Sequence, residues 1–388
     1  MNIQRLSRRE LIPIGALIFA TAILFGFVLR FIILEHHARD YTLHIYFAQM
    51  LVDGQLYIIH IVFQILVVIV SLLPFIGFDT AAYLIIIAFY SLTTMILYAL
   101  IRTVTQNRLV AVVGALVLIL VAPITFFTWS RNNLYFGYIG INVIHNPTMI
   151  LLKPLALLGF IYALRAFNGT MQFSWRNVIL GAILITVSMF TKPNFALVLL
   201  PALVLVMAYR YLQGERTGIR LLVMGLIIPM LIVLPVQYLL QYMVVATSRT
   251  GGLAFAPFAT IYLYEQSFWW IAIKFLLSIA FPLVVTVLYR KSMRDDLGVA
   301  LAWWAFLAGW AQMVLFGEVG EHALDANFWW SAQIGLFLLF VYTTLHWIKQ
   351  FRREPRAWVS MAIFALHLIS GIALIVATLT AVSESSIW

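Results

Sequence analysis

LIPIGALIFATAILFGFVLRFIIL, residues 11–34, carries one charge, Arg30, in an otherwise apolar run. A hydrocarbon core of roughly 30 Å takes about 20 such residues per helical crossing, and a signal-peptide core is shorter. The run therefore reads as an uncleaved membrane helix, and the chain beyond it repeats the pattern. Of the 388 residues 64% are hydrophobic and 10% charged, with a mean hydropathy of +1.02. Soluble domains sit near half apolar and a quarter charged. No stretch between the apolar runs is long enough to fold in water. The expectation is all-α: one polytopic transmembrane helical bundle spanning 1–388, with about 11–13 spans.

The apolar runs fall at 11–34, 57–76, 80–101, 109–128, 147–167, 177–191, 194–212, 219–245, 268–289, 297–317, 327–348 and 357–380. Net charge is +10, but the basic residues cluster in short loops such as RLSRRE, YRKSMRDD and IKQFRREPR. That is the positive-inside pattern, so the charge reports topology and not nucleic-acid binding. It predicts a cytoplasmic N-terminus. The outer face then holds EHHARD, His145, Lys192, the 246–267 loop and the 318–326 loop. Cysteine is absent, which excludes disulfide and thiol chemistry. One inconsistency follows: Asp40 and His145 share a side, yet three runs separate them. Either one run does not cross, or residues 129–145 return as a short broken helix.

Charge is scarce, so its concentrations matter. EHHARDYTLHIY, 35–46, holds three histidines, an arginine and two acids. On one helix His36, Asp40 and His44 share a face at i, i+4, i+8, a spacing that allows a divalent metal. The following residues suit a helix lying in the interface. Asp40 is the candidate general base, against a plain polar loop as the alternative. In NVIHNPTMILLKPLALL, 142–158, Pro147 suits a helix start with His145 or Asn146 near its cap. Lys153 then lies about two turns inside, where an intramembrane cation needs a partner or a wet cavity, unless it snorkels. Lys192-Pro193 breaks two apolar runs and offers a cation at the same mouth. Arg249, close to the Gly251-Gly252 pair, is the residue on this face best suited to grip a phosphate. Glu318, Glu321 and Asp325, with His322 among them, form the densest acidic group, suited to sugar hydroxyls or a cation.

RDYTLHIYFAQMLVDGQLY, then HNPTMILLKPLALLGFIYALRAF and GAILITVSMFTKPNF, together resemble the GT-C superfamily of membrane glycosyltransferases. The likeness covers roughly 1–213 as a core module, with 214–388 as additional transmembrane helices. Asp40 matches the family's loop acid, although Tyr41 and Thr42 stand where many members carry a second one. A large outer domain is also missing. The resemblance implies transfer of a sugar from a polyprenyl-phosphate donor to a lipid or glycan acceptor, by inverting displacement at the outer face. Asp40 would act as base, Lys192 and Arg249 would offset phosphate charge, and Glu321 or Asp325 would orient the sugar. The compact form points to a bacterial inner membrane. Rival readings are a transporter or flippase of a lipid-linked substrate, and a non-catalytic membrane subunit.

Overall fold

A computed structural model describes residues 8–36, 39–55, 58–125, 137–245, 252–319, 326–351 and 354–380. Arg249, Glu321, His322 and Asp325 lie outside the described residues, as does His37. Nine described helices are long and apolar enough to cross a membrane, so the chain is an integral, multi-pass membrane protein.

In chain order the helices begin with α1 (Arg8–Leu29, running on as a π-helical turn, Arg30–Glu35), α2 (Arg39–Val52), α3 (Val62–Ser71) and α4 (Phe78–Val104). Then come α5 (Arg108–Leu118), α6 (Pro147–Phe167), α7 (Trp175–Thr191) and α8 (Asn194–Leu212). The short α9 (Ile219–Leu222) and α10 (Ile228–Leu239) join through a π-helical turn into one rod. The remainder is α11 (Ala259–Tyr264), α12 (Phe268–Leu288), α13 (Arg290–Met293), α14 (Leu297–Leu315), α15 (Trp329–Gln350) and α16 (Ala357–Thr380). Two short strands, β1 (Gly252–Phe255) and β2 (Phe316–Val319), pair antiparallel with Leu253 opposite Glu318.

The pairing of α1 with α4 fixes the direction of the first half. The Tyr83 hydroxyl donates to the Gly26 carbonyl at 3.2 Å. At the other end, Glu10 accepts from Tyr98, from Arg102 at 3.2 Å and from Arg108 at 3.0 Å. The two helices are thus antiparallel, and α4 starts at the end where α1 finishes. Helix α3 starts at that end too, because Gln64 in its first turn bonds His44 of α2 at 2.7 Å. The 57–76 run is therefore not a crossing: its helix is 10 residues long and returns to the side it left. This settles the inconsistency between Asp40 and His145. The 109–128 run is also not one helix, since α5 stops at Leu118.

After α5 the backbone turns at 119–120 and runs on without regular secondary structure through 121–125, enclosed by the bundle. Backbone groups away from water need partners, and here other helices supply them. On α16, His367 Nδ1 faces the Ala122 carbonyl at 2.7 Å, so Nδ1 carries the proton. Its Nε2 then accepts from the Phe281 N–H on α12 at 3.3 Å. Ala122 N–H donates to the His367 carbonyl at 3.1 Å, and Ile124 N–H to the Leu277 carbonyl at 3.2 Å. Thr125 N–H reaches Ser370 Oγ at 3.2 Å. A Cβ on Gly371 would overlap the Leu120 carbonyl oxygen, so only glycine admits the chain there.

Replacing His367 by Phe keeps the volume and orphans the Ala122 carbonyl, at a cost of about 1–3 kcal/mol. The variant is expected to melt well below wild type in detergent, with Gly371→Val at least as damaging; an unchanged melting curve in both would refute this account.

Candidate functional site

Four residues form one hydrogen-bonded chain at the end of the bundle where α6 begins. Asn146 is the N-cap of α6: its Oδ1 accepts from Met149 N–H at 3.0 Å and from the Thr148 hydroxyl at 2.9 Å. Pro147 starts the helix without wasting a backbone donor. With Oδ1 spent on the cap, the amide nitrogen faces outward and donates to Asp40 Oδ2 at 2.9 Å. Thr148 Oγ1 in turn accepts from Lys192 Nζ at 3.2 Å. A carboxylate and an ammonium are thereby held at the two ends of a rigid linker, Asp40–Asn146–Thr148–Lys192.

Local structure fixes both ends. Asp40 lies in the first turn of α2, where the helix dipole favours an anion. Its neighbour Tyr41 is buried and donates to the Ile144 carbonyl at 2.7 Å, pinning α2 to the segment before α6. Lys192 is the C-cap of α7, and Pro193 then starts α8. Its side chain is 5% exposed and lies over the Trp330 ring at 4.8 Å. The His145 ring is 5.8 Å from that same indole. The first turns of α6, α8 and α15 converge here, since Asn194 Nδ2 also donates to Ser331 Oγ at 2.9 Å. Three positive helix ends and one ammonium make the place favourable for an anion.

Glu318 joins the same mouth by a longer route. It accepts from the Tyr242 hydroxyl and from Asn327 Nδ2, the latter at 2.6 Å, while the Asn327 carbonyl accepts from Asn194 at 2.9 Å. Lys153 does not join it. Its side chain is 3% exposed, donates to Asn142 Oδ1 at 2.6 Å and lies 5.0 Å from the Phe337 ring centre. Asn142 Nδ2 spans the Leu118 and Val121 carbonyls, so Lys153 braces the irregular segment. The face expected for His36, Asp40 and His44 is not formed, because no single helix carries all three. His36 follows the π-helical turn and packs on Phe31 at 4.0 Å, before α2 begins. Among the described residues no three His, Asp or Glu side chains gather as metal ligands.

Sequence reasoning passed over Thr148, Trp330, Gln64 and His60, which complete this region. It also passed over Lys274, buried in α12 and paired with Glu265 at 2.7 Å. The available signal was an ionisable residue inside an apolar run. No family model, curated protein or solved structure matches the chain.

Three buried histidines of this region are held neutral. Burial drives His44 well below the usual imidazole value, and His60 and Lys192 add to it. Burial, with Lys192, takes His60 down to about 3. Burial lowers His145 too, against the attraction of Asp40 and with the help of Lys192. The unfolded chain takes up protons below about pH 6.5 that these folded sites refuse. Their contribution to stability is full above that pH and is lost as pH falls toward the folded values. Melting in detergent at pH 7.5, 6.0 and 5.0 is expected to show a steady fall, shallower in His60→Gln. A temperature independent of pH across that range would refute it.

Proposed function

We propose that this chain is a membrane glycosyltransferase using a polyprenyl-phosphate sugar, with Asp40 as general base. The observation that carries the reading is the Asp40–Asn146–Thr148–Lys192 linker, which holds a carboxylate and a buried ammonium at its two ends. In an inverting displacement the acceptor oxygen bonds the anomeric carbon while the bond from that carbon to the phosphate oxygen breaks. The acceptor proton goes to Asp40, and the negative charge grows on the departing lipid phosphate. Those two events need a base and an anion-stabilising group on opposite sides of one carbon. Lys192 and the three helix starts supply the second, an electrostatic contribution worth several kcal/mol where water is excluded. In this reading Glu318 accepts from sugar hydroxyls beside its bonds to Tyr242 and Asn327, and the apolar helix surfaces suit the lipid tail.

The loops rich in Lys and Arg lie at the opposite end, so positive-inside topology supports a cytoplasmic N-terminus and a reaction on the outer face. A bacterial inner membrane fits these properties. The buried end-to-end linker favours an enzyme over a flippase, whose polar groups would be needed along the substrate path.

Purified full-length protein in lipid vesicles, given radiolabelled polyprenyl-phosphate sugar and an acceptor extract, is the test. Asp40→Asn preserves the Asn146 contact but removes the base, so transfer should fall by about 10²–10⁴-fold. Lys192→Met should lower turnover more than lipid binding. Undiminished transfer in Asp40→Asn sinks the mechanism; lipid movement without transfer in wild type sinks the enzyme reading.

A further inference from the structure

A second constellation lies at the far end of α15. His346 is sixteen residues beyond Trp330, roughly 24 Å along the helix axis. Its Nδ1 contacts Asp296 Oδ2 at 2.7 Å, and its Nε2 contacts Ser292 Oγ at 3.0 Å. Asp296 is the N-cap of α14, where Oδ1 accepts from Val299 N–H at 3.2 Å. Burial raises this carboxyl, but the hydrogen bonds from His346 and Val299 outweigh it and hold the group below the usual value. Nδ1 thus faces the Asp296 carboxylate and Nε2 faces the Ser292 oxygen, whose hydroxyl also reaches the Tyr289 carbonyl at 3.1 Å. The imidazole is 2% exposed, whereas Ser292 is exposed on α13 between Lys291 and Arg294.

We propose that Ser292 is a nucleophilic serine, with His346 as its base and Asp296 as the residue positioning that base, acylated by an activated ester at the membrane boundary. A mere clamp between α14 and α15 needs His346 and Asp296 only. It does not need the second nitrogen aimed at an exposed hydroxyl. The Ser292 oxygen bonds the carbonyl carbon while its proton passes to His346 Nε2. The bond from that carbon to the leaving oxygen then breaks, and the leaving group takes the proton from Nε2. An O-acyl serine remains. The N–H groups of Ser292 and Met293 both donate to the Tyr289 carbonyl at 3.0 Å, so neither offers an oxyanion hole. That restricts the site to activated acyl donors and excludes amides. Exposed Arg290, Lys291 and Arg294 favour donors that carry phosphate.

Full-length protein in detergent is incubated with a fluorophosphonate probe and, separately, with p-nitrophenyl octanoate. A phosphonate adduct is expected on Ser292, absent in Ser292→Ala and formed at least ~100-fold more slowly in His346→Gln. Asp296→Asn should slow it as well, and the ester should release a burst of about one p-nitrophenol per chain. Ser292 is exposed, so its variant should melt like wild type and serve as the folded control. No adduct on Ser292 in wild type, or equal rates in wild type and His346→Gln, overturns the nucleophile. An adduct without a burst overturns the acylation.

Discussion

Backbone that enters a membrane bundle without being helical must find every hydrogen-bond partner in the protein, and most of this structure follows from meeting that demand. Between Leu118 and Thr125 the chain leaves its helix while still enclosed. Its donors and acceptors are taken up by His367 and Ser370 on α16, by the Leu277 carbonyl on α12 and by Asn142. Asn142 is itself oriented by Lys153 of α6. Further along, Ile139 N–H bonds Ser278 Oγ at 3.0 Å, and Trp329 of α15 bonds the Tyr138 carbonyl at 2.9 Å. Four helices thus hold the irregular chain at 119–125 and at 137–142. The second stretch runs into Asn146, so holding it holds the cap of α6 and, with it, the carboxylate of Asp40.

This ordering explains why single polar residues sit in otherwise oily helices. A His, an Asn or a Ser at mid-bilayer is costly unless satisfied, and each here answers a specific orphan of the irregular segment. Histidine suits its place because the neutral ring donates at one nitrogen and accepts at the other. A lysine there could donate to the Ala122 carbonyl but could not accept from the Phe281 N–H. Small residues do the complementary work. Gly371 lets the turn at Leu120 approach α16, and Gly309 lets α14 lie against the Ser331 carbonyl of α15, so the backbones approach closely.

Much of the fold was legible because membrane helices announce themselves by length. The ends of α6, α8 and α16 match the apolar runs closely, helped by Asn146-Pro147, by Lys192-Pro193 and by the basic loops. What failed was the assumption that an apolar run is one spanning helix. Hydropathy is blind to backbone conformation, so the 109–128 run hid a helix stop and an irregular stretch, with Pro123 as the overlooked breaker. The 57–76 run failed for a different reason: a helix of 10 residues is apolar enough to lie against the bundle and too short to cross it. At the site, Asp40, Asn146 and Lys192 were legible as charged or capping residues at one mouth. Thr148 and Trp330 were not, because a threonine in a first turn and a tryptophan at a helix start have ordinary structural explanations. Lys153 was legible as an anomaly but not as a brace, since its partner depends on where the irregular chain returns.

The distribution of satisfied polar groups also bears on which rival reading the molecule favours. A carrier for a polar headgroup needs side chains along its path that can exchange partners. Among the described residues, the mid-depth groups Asn142, Lys153, Ser278 and His367 are engaged in bracing backbone or one another. Releasing any of them to a passing substrate would orphan a buried carbonyl or N–H, at about 1–3 kcal/mol apiece. At the mouth the position differs: the Asn146 bond occupies one oxygen of the half-buried Asp40, and Lys192 lies beside a stack of helix starts. Chemistry confined to that end leaves the braces untouched. A scaffold rigid in its middle and polar at its mouth suits a fixed reaction centre better than a moving path.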